Sequence, residues 1–136
     1  MKDIIDGELP TQSSAFQKNP LVLAYLGDSV FSFVVREYLV NKYEFKPNTL
    51  NKKANSVVCA VYQAKIMKEI KSELTQDEQN VVNRARNSHT NNKATNSTLE
   101  EYNLATQFEA LLGYWHLTNQ KEKIMEVFSK YVMEKL

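Results

Sequence analysis

The chain has 136 residues with one cysteine, three glycines and three prolines; 43% of residues are hydrophobic, 24% are charged and the net charge is +1. That length suits one domain with its own core, a lone cysteine excludes an internal disulfide, and so few helix breakers favour an all-α chain. The N-terminal MKDIIDGELPTQSS carries acids where a secretion signal would be basic, and Asp28, Arg36 and Glu37 interrupt the longest apolar stretch, so a soluble cytoplasmic protein without membrane contact is expected.

Residues 1–18 read as a lead-in segment, and the globular part begins at residue 19. Asn19-Pro20 offers an N-cap followed by proline at the first helical position. The spacing predicts a helix over 20–42 that is apolar around most of its circumference, hence a central one. After the turn Lys46-Pro47-Asn48-Thr49, a single helix is predicted over 50–73 from the stripe Leu50, Ala54, Val57, Val58, Val61, Ala64, Met67, Ile70. Thr75-Gln76-Asp77-Glu78 has the pattern of a capping box and starts a short helix to Arg86. Residues 87–98, NSHTNNKATNST, form a long polar loop, a length usually tied to function or mobility. A second capping box, Thr98 to Glu101, opens a helix to Leu117, and after a break at Thr118-Asn119 an amphipathic helix spans 120–135.

Charge is unevenly spread. Residues 41–71 hold seven lysines against Glu44 and Glu69, and residues 83–98 hold Arg84, Arg86 and Lys93 with no acid. Such asymmetry fits a polyanion-binding face; solvated helix surfaces are the alternative.

Two acids stand out because their surroundings are wrong for them. Asp28 lies in LAYLGDSVFSFVVREYLV and Glu109 in QFEALLGYWHL, each near a helical glycine, Gly27 and Gly113. A mid-helix glycine costs about 1 kcal/mol relative to alanine and is kept where another backbone approaches closely. Two helices crossing at those glycines would bring Asp28 and Glu109 together. Converging carboxylates repel unless a hard divalent cation holds them, and Mg²⁺ with few carboxylates completes its shell with water and phosphate oxygens. The alternatives are an ion pair of Asp28 with Arg36 or a lysine, and a Glu109 that faces solvent. His89 and His116 are far apart, and neither they nor Cys59 shows metal-ligand spacing.

At these motifs the sequence resembles a known family. LAYLGDSVFSFVVR is similar to the signature helix of ribonuclease III catalytic domains, and ATQFEALLGYWHL to their second acidic helix. Order, separation and length resemble the bacterial Mini-III subgroup, which lacks the double-stranded-RNA-binding domain, and R-A-R-N at 84–87 is similar to that subgroup's R-G-R-N. The resemblance covers about residues 19–135. It implies an all-α ribonuclease III-type domain over 19–136, a homodimer, and Mg²⁺-dependent hydrolysis of double-stranded RNA (Mn²⁺ substituting) that leaves 5′-phosphate and 3′-hydroxyl ends, with precursor large-subunit ribosomal RNA as substrate. It assigns metal binding and catalysis to Asp28 and Glu109. Ala24 and Thr106 stand where the longer ribonuclease III pattern has acids, as in Mini-III, which leaves a sparse acidic shell. Ala85 for glycine, Asn103 for arginine and KATN without its proline depart from the subgroup and bear on the RNA contacts of the loop.

With this resemblance, Lys52, Lys53, Arg84, Arg86, Asn87 and Lys93 become the expected contacts to the phosphates and 2′-hydroxyls of A-form RNA. Two alternatives remain: a non-catalytic double-stranded-RNA-binding module on the same fold, and a phosphohydrolase of small nucleotides, whose usual His-Asp pairs or clustered acids are missing here.

Overall fold

The computed structural model describes residues 12–88 and 97–136. The described residues form seven α-helices and no strand: α1 (Gln12–Phe16), α2 (Pro20–Lys42), α3 (Pro47–Asn55), α4 (Ala60–Ile70), α5 (Gln76–Arg86), α6 (Leu99–Leu117) and α7 (Lys121–Tyr131), with 3₁₀ turns at Lys71–Glu73 and Met133–Lys135. Most of the lead-in, residues 1–11, lies outside the described residues.

The predicted starts are made by the predicted atoms. The Leu21 amide donates to Asn19 Oδ1 at 2.8 Å, with Pro20 behind it. Both capping boxes close in both directions: Glu78 N to Thr75 Oγ1 with Thr75 N to Glu78 Oε1, and Glu101 N to Thr98 Oγ1 with Thr98 N to Glu101 Oε1. The break after α6 falls at Asn119, whose φ of 57° is a left-handed conformation that asparagine tolerates.

The single helix expected over 50–73 is instead two. α3 begins earlier, at Pro47, and ends at Asn55; α4 begins at Ala60. The Ser56 hydroxyl donates to the Lys53 carbonyl at 2.6 Å, a local bond that competes with helix continuation, and Cys59 is fully extended. Periodicity survives the break because both helices turn their apolar sides to one core, with Val57 wholly buried in the corner. That corner places the first turn of α4 against α6 and across a cleft from α2.

The central helix is α6 rather than α2. From Leu104 to Trp115 every residue of α6 except Glu109 is buried, with α2, α4, α5 and α7 packed around it. α2 buries the stripe Leu23, Gly27, Phe31, Val35, Leu39 and leaves Val22, Tyr25, Phe33 and Val40 exposed on other sides, Tyr25 by 81% and Phe33 by 65%. Phe31 and Phe108 meet edge to face at 5.4 Å across the α2–α6 seam, worth about 1 kcal/mol beyond their burial.

A buried polar knot, not foreseen in the sequence, fixes α5 and α7 to the end of α6. Glu78 Oε2 accepts from Trp115 Nε1 at 2.7 Å and from Lys123 Nζ at 2.5 Å, while Oε1 serves the Thr75 amide. Burial alone would push the Glu78 carboxyl up; the bonds from Lys123, Thr75 and Trp115 outweigh it and hold the carboxyl below its usual range.

The α2–α6 crossing is unusually tight. A Cβ placed on Gly27 would stand 1.7 Å from the Glu109 carbonyl oxygen, and one on Gly113 would stand 2.0 Å from that of Leu23. Both obstacles are backbone, so no rotamer change makes room. Gly27→Ala or Gly113→Ala must push the helices apart, and a stability loss of about 3 kcal/mol or more is expected, at or beyond the upper range for overpacking. Thermal or urea unfolding checks this; a loss under about 1 kcal/mol would contradict the reading.

Candidate active site

The crossing delivers the two acids to one place. Asp28 follows Gly27 on α2, Glu109 lies one turn before Gly113 on α6, and the two carboxyl groups are close enough to act on each other. Among the described residues Asp28 makes no ion pair with Arg36 or with a lysine, and Glu109 does not face solvent freely. The close crossing inferred from the glycines is the arrangement found.

Both carboxylates open onto a cleft of about 630 Å³ lined also by Leu21, Ala24, Tyr25, Val58, Cys59, Ala60, Gln63, Tyr102, Ala105 and Thr106. Burial, followed by the hydrogen bond to Asp28 and then by the charge of Asp28, pushes the Glu109 carboxyl up to about 9. A raised Glu109 carboxyl favours its protonated form beside Asp28 at neutral pH. It marks two acids forced closer than their charges allow, a common property of functional sites. The pair and the open cleft fit a hard cation that keeps several waters; among the described residues no group of three His, Cys, Asp or Glu side chains encloses an ion by itself. Ala24 and Thr106, at the positions of the missing acids, both line the cleft, and the Thr106 hydroxyl donates to the Tyr102 carbonyl at 3.0 Å.

The basic residues are scattered around this cleft rather than in it. Lys52 is exposed on α3, and Lys53, half-buried, holds its Nζ 4.8 Å from the centre of the Tyr43 ring. Arg86 and Asn87 are exposed at the end of α5, where Asn103 Nδ2 donates to the Arg86 carbonyl at 3.2 Å. Arg84, expected at the RNA, is engaged elsewhere: its guanidinium donates to the carbonyls of Phe16 and Lys18 and stacks over the Phe16 ring, tying α1 to α5. Lys93, His89 and the KATN segment lie outside the described residues. His116 is exposed in the last turn of α6, and Cys59 is half-buried on the cleft wall. Gln63 carries no signal in the sequence; only its place on the cleft wall marks it.

The ribonuclease III domain family matches residues 21–120 of the chain. The chain belongs to the ribonuclease III domain family. It is 44% identical over 109 residues to the Mini-ribonuclease 3 of Brevibacillus brevis, covering 80% of this chain and 81% of that one. It is 37% identical over 128 residues to the Mini-ribonuclease 3 of Clostridium tetani, covering 93% and 85%. A crystal structure of a Fusobacterium nucleatum protein superposes with a TM-score of 0.79 at 30% identity, covering 88% of this chain and 96% of that one. The resemblance seen in the motifs therefore extends to the whole domain, the all-α ribonuclease III-type fold is shared, and the chain is an endoribonuclease of the Mini-ribonuclease 3 kind. Among the described residues no helix is long and apolar enough to cross a membrane.

The strained acid pair of this ribonuclease III domain has a pH signature. Between pH 4.5 and about 9 the unfolded chain has lost a proton that folded Glu109 retains, so cation-free stability falls as pH rises through that window. Glu109→Gln has no such proton to lose. In thermal melts with EDTA, the Glu109→Gln protein is expected to gain on wild type progressively from pH 4.5 to about 9. Parallel pH dependences would contradict the assignment.

Proposed function

We propose that this endoribonuclease cuts double-stranded RNA in a Mg²⁺-dependent hydrolysis, with Asp28 and Glu109 holding the cation, and leaves 5′-phosphate and 3′-hydroxyl ends. The observation that carries the reading is the meeting of Asp28 and Glu109 at the glycine crossing, in a cleft open to solvent. The bound cation would supply charge to the scissile phosphate and lower the pKa of an attacking water. The chain's own part is to hold two carboxylates side by side on packed helices, and to give up the Glu109 proton when positive charge arrives. With two acids and neutral Ala24 and Thr106 beside them, one ion per site is the simpler occupancy.

The substrate proposed is precursor large-subunit ribosomal RNA in the bacterial cytoplasm, as the resemblance to the Mini-III subgroup implies. Lys52, Lys53, Arg86, Asn87 and Lys93 are proposed to contact its backbone, while Arg84 secures the helix pair that presents them. A homodimer is proposed through α2: Val22, Tyr25, Phe33 and Val40 leave an apolar face that one copy does not cover, and Tyr25 joins that face to the cleft.

Cleavage of a labelled RNA duplex with and without Mg²⁺ tests the reading. Wild type is expected to cut only with the cation, and Asp28→Asn or Glu109→Gln to lower the rate by about a hundredfold or more, the scale for losing a charge-stabilising group. Duplex binding without cutting by wild type would favour the non-catalytic module instead. In sedimentation, wild type is expected as a dimer and Phe33→Asp as a monomer; a monomeric wild type would contradict the α2 seam.

A further inference from the structure

The cleft has a second feature that the acid pair does not use. The wall formed by α4 presents unsatisfied hydrogen-bond donors. Cys59, Ala60 and Gln63 line it. Cys59 stands at the N-cap of α4 and its side chain makes no cap bond; the thiol instead approaches the Ser56 carbonyl at 3.9 Å. Among the described residues, the amides of Ala60, Val61 and Tyr62 have no acceptor, and the first amide of this turn that does is Gln63 N, bonded to the Cys59 carbonyl at 3.0 Å. An eleven-residue helix with free first-turn amides carries partial positive charge at that end.

The independent observation is the Gln63 side chain. It is 3% exposed, yet its carboxamide has no hydrogen-bond partner among the described residues. Gln107 Oε1 is the sealed, unpartnered amide atom among the described residues, whereas the Gln63 carboxamide stays open to the cleft, where a ligand can reach it. Gln63 and Ala60, the first residue of α4, line the same cleft as the two acids, so the carboxamide and the start of the helix face one space. Oxygen acceptors with negative charge suit that donor set, and an anion there would be drawn to the helix end just where the neighbouring carboxylates would otherwise repel it.

We propose that the first turn of α4 and the Gln63 carboxamide form a phosphodiester-binding subsite that seats a backbone phosphate of the RNA strand beside Asp28 and Glu109. The identity of the anion rests on the nuclease reading; the donor set does not. Gln63 is neutral, so it can bond a non-bridging phosphate oxygen without adding a charge that would compete for the carboxylates. The Cys59 side chain, a weak acceptor, leaves the amides open to the ligand where a serine or aspartate would occupy them.

Binding of a short fluorescent RNA duplex to the full chain, measured by anisotropy in EDTA so that nothing is cut, tests this separately from catalysis. Cys59→Asp supplies a carboxylate that caps the α4 amides, and its melting temperature is expected to equal or exceed that of wild type. Gln63→Glu sets a negative charge in the subsite. Each is expected to weaken duplex binding by about tenfold and to lower the slope of log affinity against log salt by about one phosphate contact. Gln63→Leu, which keeps the helix end free, is expected to lose only a few-fold. If folded Cys59→Asp and Gln63→Glu both bind as wild type does, the subsite is overturned. A wild type that binds the duplex but cuts nothing when Mg²⁺ is added overturns the nuclease reading and leaves this comparison standing; a wild type that binds no duplex overturns both.

Discussion

The backbone contact between α2 and α6 at Gly27 and Gly113 governs the rest of the molecule. Each glycine lies against a carbonyl of the other helix, so neither position admits even a methyl group. That contact sets the depth of the crossing, and the depth of the crossing sets where Asp28 and Glu109 stand. One residue from Gly27 and one turn from Gly113, the two carboxylates are brought together by backbone packing rather than by their own attraction. Helix interiors normally exclude glycine because it costs conformational entropy and packing. Here the close approach it permits offsets that cost and builds the site.

The electrostatic consequence is a pair that cannot be fully ionised at neutral pH without help. Burial and the neighbouring Asp28 leave Glu109 protonated until about pH 9. A divalent cation is the natural counter-charge, and a sparse acidic shell leaves most of its coordination to water and substrate. The α4 wall completes the electrostatic picture from the other sign, with free amides and an unpartnered Gln63 in the same cleft. The break between α3 and α4 is what places that helix end there.

Much of this was legible in the residues. Asn19-Pro20, the two capping boxes and the Thr118-Asn119 stop specify helix ends through atoms that bond within a few residues, so local pattern suffices. The acid pair was legible because glycine and a carboxylate in an apolar helix both violate local rules, and both violations point to the same crossing. The α3–α4 break was hidden because the apolar stripe runs through it without a change of phase; only the Ser56 back-bond and the extended Cys59 reveal it. The central place of α6 was hidden for a different reason. Composition cannot tell an apolar face buried in its own core from one left for a second copy. The structural part of Arg84 was hidden because a basic residue in a basic stretch reads as surface, whereas its guanidinium satisfies two backbone carbonyls that depend on α1. Glu78 was legible only as a capping residue and Gln63 gave no signal, since the bonds of Glu78 to Trp115 and Lys123 and the place of Gln63 on the cleft depend on distant helices.

Asp28 and Glu109 are proposed to form one cation site whose occupation displaces the Glu109 proton. Calorimetric titration of Mn²⁺ into the protein near neutral pH, repeated in buffers of different ionisation enthalpy, measures this without any substrate. Wild type is expected to bind with release of about one proton per ion, Glu109→Gln to release none, and Asp28→Asn to bind much more weakly. Equal Mn²⁺ binding by wild type and Asp28→Asn, or binding by wild type with no proton released, would contradict a shared cation site.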